Sequence, residues 1–252
     1  MVGPIPKRGF TVIEVMLFLG ITGLLFLIAL VGTGTTIRTV RFTDSGRSVT
    51  AYIQSQYDDI INGVNTRLGN ETCTAGIVST GSNQTPGTSN CLLIGKLIVF
   101  QTGSPTINLY NVVGTEPANV DYTQTDTQLI AAFHPQAVTN TGVTSYTVQW
   151  QAFVSGTKRL SDNQAVTGLL LVRSPKSSRV VSYTYKPASP VVKDLTSVVS
   201  AASNIGKTSN FCIKNADNLG LPAKLIVSDA PTQQAVQIVF DADSGGNECN
   251  GT

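Results

Sequence analysis

Glu14 is the residue whose placement demands a chemical explanation first. It is the one ionisable side chain between Phe10 and Gly32, a run that also lacks Pro. A carboxylate among Val12, Ile13, Val15 and Met16 costs about 2.5–3.5 kcal/mol at the centre of a membrane helix, less near its end, and needs a partner. No Lys or Arg lies within one helical turn of it. Four cysteines, Cys73, Cys91, Cys212 and Cys249, form no Cys-x-x-Cys pair, so a zinc site is disfavoured. An even number in an exported region suggests two disulfides, with three connectivities open.

Weaker chemistry lies elsewhere. Arg173, Lys176, Arg179, Lys186 and Lys193 follow one another with no intervening acid, with Tyr183 and Tyr185 interleaved. Clustered cations can hold phosphate, and aromatic rings can stack on single strands, so DNA or another anionic polymer is one reading. A solvated face or a subunit contact is the plainer one. Between Lys96 and Lys158 the balance reverses, with Glu116, Asp121 and Asp126 and no Lys or Arg. Asp241, Asp243 and Glu248 resemble part of a calcium loop, but Gly245 and Thr252 stand where an EF-hand needs ligands. An exposed acidic turn is expected there. Asn70-Glu71-Thr72 is a glycosylation sequon, informative only where the machinery exists. His134 is the sole His, and no Ser/Asp constellation can be built around it. No enzyme, metal or cofactor is expected.

Composition narrows the setting. Only 13% of the 252 residues are charged, while 31 Thr, 21 Ser, 16 Asn and 13 Gln supply the polarity. With hydrophobic residues at 41% and a net charge of +2, neither a highly charged disordered chain nor a strongly basic nucleic-acid module fits. Neutral polar surfaces of this kind suit secreted β-structure. Phe10–Gly32 is long enough to span a bilayer. Lys7 and Arg8, just before it, are expected to stay cytoplasmic and to send everything after Gly32 outside. The run is too long for an ordinary secretory signal core.

Lys7-Arg8-Gly9 followed by Phe10-Thr11-Val12-Ile13-Glu14 and the apolar run resembles the prepilin signature of the type IV pilin and type II secretion pseudopilin superfamily. Val12 replaces the usual Leu, and the match covers about residues 7–33. The resemblance implies cleavage between Gly9 and Phe10 by a prepilin peptidase, with N-methylation of Phe10. It implies that Glu14 pairs with the Phe10 α-amine of a neighbouring subunit. An α-amine of pKa near 8 is largely protonated at neutral pH, and opposite charges attract strongly in a low-dielectric bundle. The partners so implied are other pilin subunits, the inner-membrane assembly platform and the cytoplasmic membrane, with a host surface or DNA as further candidates. The precursor would sit in the cytoplasmic membrane and the product in an extracellular pilus. The chain is long for a major pilin, which favours a minor pilin or pseudopilin.

These residues need elements to hold them. After Gly34, apolar residues at Val49, Tyr52, Ile53, Tyr57, Ile60, Ile61, Val64 and Leu68 step mostly by three and four, an amphipathic stripe expected to lie on a sheet. Arg38, Arg41, Arg47, Asp58, Asp59 and Arg67 fall on the opposite face in this reading. Gly69-Asn70 reads as the stop. Gly32, Gly34 and Ser45-Gly46 lower helix propensity, and a kink or melted stretch is expected there. The remainder reads as strands at Leu92–Gln101, Ile107–Val113, Leu129–Phe133, Thr144–Phe153, Val166–Arg173, Arg179–Tyr185, Phe211–Lys214, Lys224–Ser228 and Ala235–Phe240. In Thr144–Phe153, alternation puts Tyr146, Val148, Trp150 and Ala152 on one face. Leu195–Ser203 reads as a short helix, with Asp194 as its N-cap. The expected fold is α+β and pilin-like: leader 1–9, transmembrane and polymerisation helix 10–33, amphipathic helix 34–69, and extracellular antiparallel β-rich head 70–252. The preferred disulfides are Cys73–Cys91, closing a Gly/Ser/Thr/Asn-rich loop, and Cys212–Cys249, which resembles the bounded region near the end of many pilins. In the chain-entropy model each is worth about 3–4 kcal/mol.

Overall fold

The computed structural model describes residues 9–64, 71–74, 77–80, 91–156, 166–188, 191–201, 204, 209–215, 223–228, 235–240 and 249. The chain divides into two compact units, Met1–Phe42 and Thr43–Thr252. It is α+β, with one long amino-terminal helix and antiparallel sheets.

Helix α1 runs from Val12 to Ile61. No melted stretch occurs: helix continues through Gly32, Gly34, Ser45 and Gly46. Thr33 and Thr36 do not compete with the backbone here, because their hydroxyls donate to the carbonyls of Leu30 and Gly32 at 3.0 and 3.1 Å. Thr22 does the same to Phe18 at 2.8 Å. The stop also differs from expectation. The helix closes at Ile61, not at Gly69-Asn70, and residues 65–70 lie outside the described set. Gly63 has a φ of +66°. Its N–H donates to the Ile60 carbonyl, and the Val64 N–H reaches the Asp59 carbonyl. Those two bonds form a Schellman motif, in which glycine takes the left-handed position that other residues rarely adopt.

In the first unit, the large apolar side chains from Phe10 to Leu30 are exposed; Leu24 is 60% open and Phe26 65%. The helix is long and apolar enough to be a candidate membrane span.

The second unit is built on two sheets. The larger has the order β5-β4-β3-β8-β9, with β6 also paired to β4. Its strands are β3 (Cys91–Phe100), β4 (Thr106–Thr115), β5 (Gln136–Ala137), β6 (Thr144–Thr147), β8 (Gly168–Arg173) and β9 (Val180–Tyr185). The smaller has the order β12-β11-β10-β7, from β7 (Ala152–Gly156), β10 (Ser209–Asn215), β11 (Ala223–Val227) and β12 (Val236–Val239). A separate hairpin, which the sequence does not announce, joins β1 (Glu71–Thr74) to β2 (Ile77–Thr80).

Both faces of the larger sheet are covered. On one, Leu97, Val112, Leu170, Val172 and Tyr183 pack with Ile130 of α2 (Asp126–Ala132) and Val199 of α3 (Thr196–Ser200). On the other, Lys96 meets α1 through Gln56 and Asp59. The stripe is buried as expected at Val49, Ile53, Tyr57 and Ile60, whereas Ile61 and Val64 are exposed. At Gly46 the helix approaches β12 so closely that an added Cβ would collide with Ile238 and lie 2.8 Å from the Phe240 ring.

Three expected elements are corrected. Leu129–Phe133 is not a strand: it belongs to α2, started by Thr125, whose hydroxyl accepts from the Gln128 N–H while the Gln128 side chain accepts from the Thr125 N–H. That capping box outweighs the short apolar run. Thr144–Phe153 is not one strand. It breaks after Thr147 into a 3₁₀ turn (Gln149–Gln151) before β7, with Trp150 and Gln151 at φ +58° and +56°. The third is the helix near Leu195, which spans only Thr196–Ser200 with Leu195 at the N-cap; Asp194 sits one residue earlier and accepts from the Thr196 N–H at 2.9 Å.

Candidate functional site

The amino-terminal site is assembled by its own backbone. Thr11 precedes the helix, and its N–H and hydroxyl donate to Glu14 Oε2 at 2.9 and 3.0 Å. The Glu14 N–H returns to Thr11 Oγ1 at 3.3 Å. This is a capping box: two helix-end donors are satisfied reciprocally, and the carboxylate sits at the positive end of the helix dipole. A search of the sequence for a cation beside Glu14 passes over the hydroxyl three residues before it. Thr-x-x-Glu ahead of an apolar run is the available signal. Both bonds fall on Oε2; among the described residues nothing bonds Oε1. Gly9 is exposed and Phe10 is 87% exposed, so the Gly9–Phe10 bond is sterically open. Lys7 and Arg8 lie outside the described residues.

The basic residues are not brought together. Arg173 and Arg179 flank the β8–β9 turn with Lys176 inside it, while Lys186 follows Tyr185, which pairs with Gly168 at the far end of the same hairpin. Five strand residues separate the two ends, about 17 Å. The turn is clamped onto α2: Ser174 and Ser177 hydroxyls donate to the two Asp126 oxygens at 2.6 and 2.9 Å. The Ser174 bond, then the Ser177 bond and the nearby Arg179 and Lys176 charges, hold the Asp126 carboxyl below the usual carboxylate range. Asp121 is likewise held low, first by Thr123 hydrogen bonds and last by Lys176. The acidic and basic stretches that the sequence separates thus approach each other at Asp121, Asp126, Lys176 and Arg179. Arg173 lines a cleft of about 430 Å³ together with Leu93, Ile94, Phe133, Glu116 and Tyr122. The Tyr122 hydroxyl donates to Glu116 at 3.4 Å.

One functional-looking pair escapes the sequence reading. Lys96, in the middle of β3, is 2% exposed, and its ammonium donates to Gln56 Oε1 at 2.8 Å and Asp59 at 2.5 Å. Asp59 therefore faces the sheet, not the solvent side of the stripe. The pair joins residues 37 apart in sequence. It fixes the helix register on the sheet, because sliding by a turn would strand a buried ammonium.

Both preferred disulfides form, Cys73–Cys91 with Cα atoms 5.9 Å apart and Cys212–Cys249 at 5.6 Å. The first does more than close a loop: Cys73 packs with Val78, Val113 and Val138, and the Asn140 amide donates to the Val78 carbonyl at 2.7 Å. The second ties the segment at Cys249 to the centre of β10. Asp241, Asp243 and Glu248 lie outside the described residues, as does Asn70. Among the described residues no cluster of metal-ligating side chains occurs. His134 sits after α2 at φ +46°, exposed, with its N–H bonded to the Ala131 carbonyl.

Compared with protein-family models, curated proteins and solved structures, the chain finds no match in any of the three.

Proposed function

We propose that this chain is a structural subunit of a type IV pilus-like filament. It is inserted in the cytoplasmic membrane, processed after Gly9, and assembled through its first helix segment. The observation that carries this reading is the combination at residues 9–30: an open Gly-Phe bond, a capped Glu14, and a helix whose large apolar side chains stand exposed. Each such side chain forgoes about 1.5–3 kcal/mol that burial would release, so the segment as a whole forgoes on the order of tens of kcal/mol. Lipid satisfies it first and neighbouring helices later. Glu14 contributes through its two oxygens: Oε2 holds its own helix terminus, and Oε1 is available to the α-amine of Phe10 on the next subunit. Minor-pilin or pseudopilin status is the alternative within this class, supported by the length of the chain.

Two measurements test the reading. Mass spectrometry of the exported protein should give a chain beginning at methylated Phe10; an intact leader, or a start beyond residue 33, overturns it. Glu14→Val should leave membrane insertion unchanged and reduce filament incorporation by about tenfold or more, the effect of removing one partner of a buried charge pair. Unchanged incorporation removes the register role.

A further inference from the structure

Strand β3 departs from alternation just after the Cys73–Cys91 disulfide. Leu92, Leu93 and Ile94 are consecutive, yet all three line the cleft of about 430 Å³ that Arg173 also lines. A regular strand sends neighbouring side chains to opposite faces. Here the register against β4 slips: Leu93 opposes Val113, Gly95 opposes Val112, and Ile94 is the extra residue. This is a β-bulge, a device that re-aims a side chain and is over-represented beside active sites. Gly114 on β4 makes room for it, because an added Cβ there would lie 2.7 Å from Ile94 Cδ1 and 3.2 Å from Phe133 Cβ. Phe133 also lines the cleft and is buried. Its carbonyl accepts the Thr115 N–H at 2.8 Å, which fixes the chain just before Glu116.

The charges that line this cleft are the ones the fold leaves over. Nearby, Asp126 accepts from two serines, and the Lys176 ammonium donates to the Gln124 carbonyl at 3.1 Å. Arg173 is half-buried, and its guanidinium has no hydrogen-bond or ion-pair partner among the described residues. Glu116 accepts from the Tyr122 hydroxyl through Oε1, and among the described residues nothing bonds its Oε2. Arg173 and Glu116 do not pair with each other. Arg173 ends β8 and Glu116 follows β4, the strands on either side of β3, so about 10 Å of sheet separates their backbones. A dianion at Arg173 would meet the Glu116 carboxylate, and a lone amine at Glu116 would meet the guanidinium. A wholly apolar ligand would strip water from both charges and replace it with nothing. A molecule with one carboxylate, one ammonium and an apolar body avoids all three penalties. The guanidinium fork takes a carboxylate in two parallel hydrogen bonds.

We infer that this cleft binds a small zwitterion with an apolar side chain, an amino acid or dipeptide, with Arg173 on its carboxylate, Glu116 on its ammonium, and Leu93 and Ile94 against its side chain. A volume of about 430 Å³ lies at the small end of ligand cavities and suits a molecule of that size. The site is held in shape by bonds outside it: Asp126 clamps the turn that follows Arg173, and the Thr115–Phe133 bond anchors the chain before Glu116. Little ordering of the protein is then left to oppose binding. The inference concerns the second unit alone and does not rest on the filament reading.

The test uses the full chain in phosphatidylcholine nanodiscs, titrated by calorimetry with leucine, phenylalanine, leucyl-leucine and phenylalanyl-leucine. At least one should bind saturably. Its N-acetylated and carboxyl-amidated forms, each lacking one charge, should bind about tenfold more weakly. Arg173→Gln should weaken the zwitterion by about tenfold or more. Glu116→Gln, at an exposed position, should weaken it too and erase the preference for the zwitterion over its N-acetylated form. Loss of that preference is a readout that a merely distorted cleft would not give, so Glu116→Gln decides if Arg173→Gln does not fold. Three results overturn the proposal: none of the four ligands binds, the blocked forms bind as tightly as the free ones, or Glu116→Gln keeps the preference. Octanoate binding as tightly as the zwitterion would overturn it as well, and would make the cleft a site for apolar anions.

Discussion

The two parts of helix α1 obey the same backbone rules and differ in what their side chains meet. Between Val15 and Gly32 the helix carries no charged side chain and presents apolar residues on every side, and Leu24 and Phe26 stay 60% and 65% exposed. After Thr43, apolar residues recur on one stripe, and Val49, Ile53 and Tyr57 are fully buried. The contrast separates two sources of helix stability. The second part is held by packing within its own unit and by one buried ion pair. The first satisfies its backbone internally and leaves its side-chain surface to an external environment. Periodicity tells the two apart in the sequence, since a stripe implies a partner within the fold and an unbroken apolar surface implies a partner outside it.

Substitutions can break that contrast. The largest expected effect is at Lys96. Lys96→Met leaves Asp59 without its cation and should lower the stability of the second unit by about 3 kcal/mol in urea titrations. The loss stays below that of a fully enclosed pair, because the Asp59 side chain is 36% exposed. Restoring balance with Asp59→Leu in the same chain should recover most of it. Next is Gly46→Leu, which forces a side chain into Ile238 and Phe240 and should cost about 1–3 kcal/mol by the same titration. Asp126→Asn should cost about 1 kcal/mol, since its two serine bonds lie mostly open to water. The sign of its pH dependence follows from the lowered carboxyl. The bonds stabilise the fold above the ordinary aspartate range, and that contribution fades as pH falls through the lower folded value. The same substitution, Asp126→Asn, should therefore flatten this part of an acid-denaturation curve. Smallest is Leu24→Ala in the first part: unfolding of the second unit should shift by less than about 0.5 kcal/mol. A large shift would show that the two parts of the helix are not energetically separate.

Much of this architecture was legible. The long helix, its buried stripe and seven of the nine expected strands follow from periodicity and turn residues, while the two cysteine pairings that form are the preferred ones among three open connectivities. The misses have physical causes. Leu-Ile-Ala-Ala-Phe at 129–133 is too short for periodicity to choose between helix and strand, and the deciding signal is Thr125 with Gln128 ahead of it. The 3₁₀ turn at Trp150 could not be read, because nothing about Trp or Gln favours positive φ; the tertiary contacts to Ser45 and Pro105 impose it. Lys96 reads like one more surface lysine between Gly95 and Leu97 until the sheet places it beneath Asp59. At the amino terminus the Thr11–Glu14 bond is readable from spacing alone, yet the charge of Glu14 draws the eye toward distant cations.

The hydroxyls of Thr22, Thr33 and Thr36 are each donated to a carbonyl of the preceding turn. To its surroundings the segment therefore offers no unspent donor at these positions, despite its threonine content. Acyl chains, a neighbouring apolar helix or the interior of a bundle are then nearly interchangeable solvents for it. At these three positions, passage from one to another requires no hydrogen bond to break and reform. Away from Glu14, the difference in free energy between the two environments is left to packing, a term small per contact and large only when many copies align.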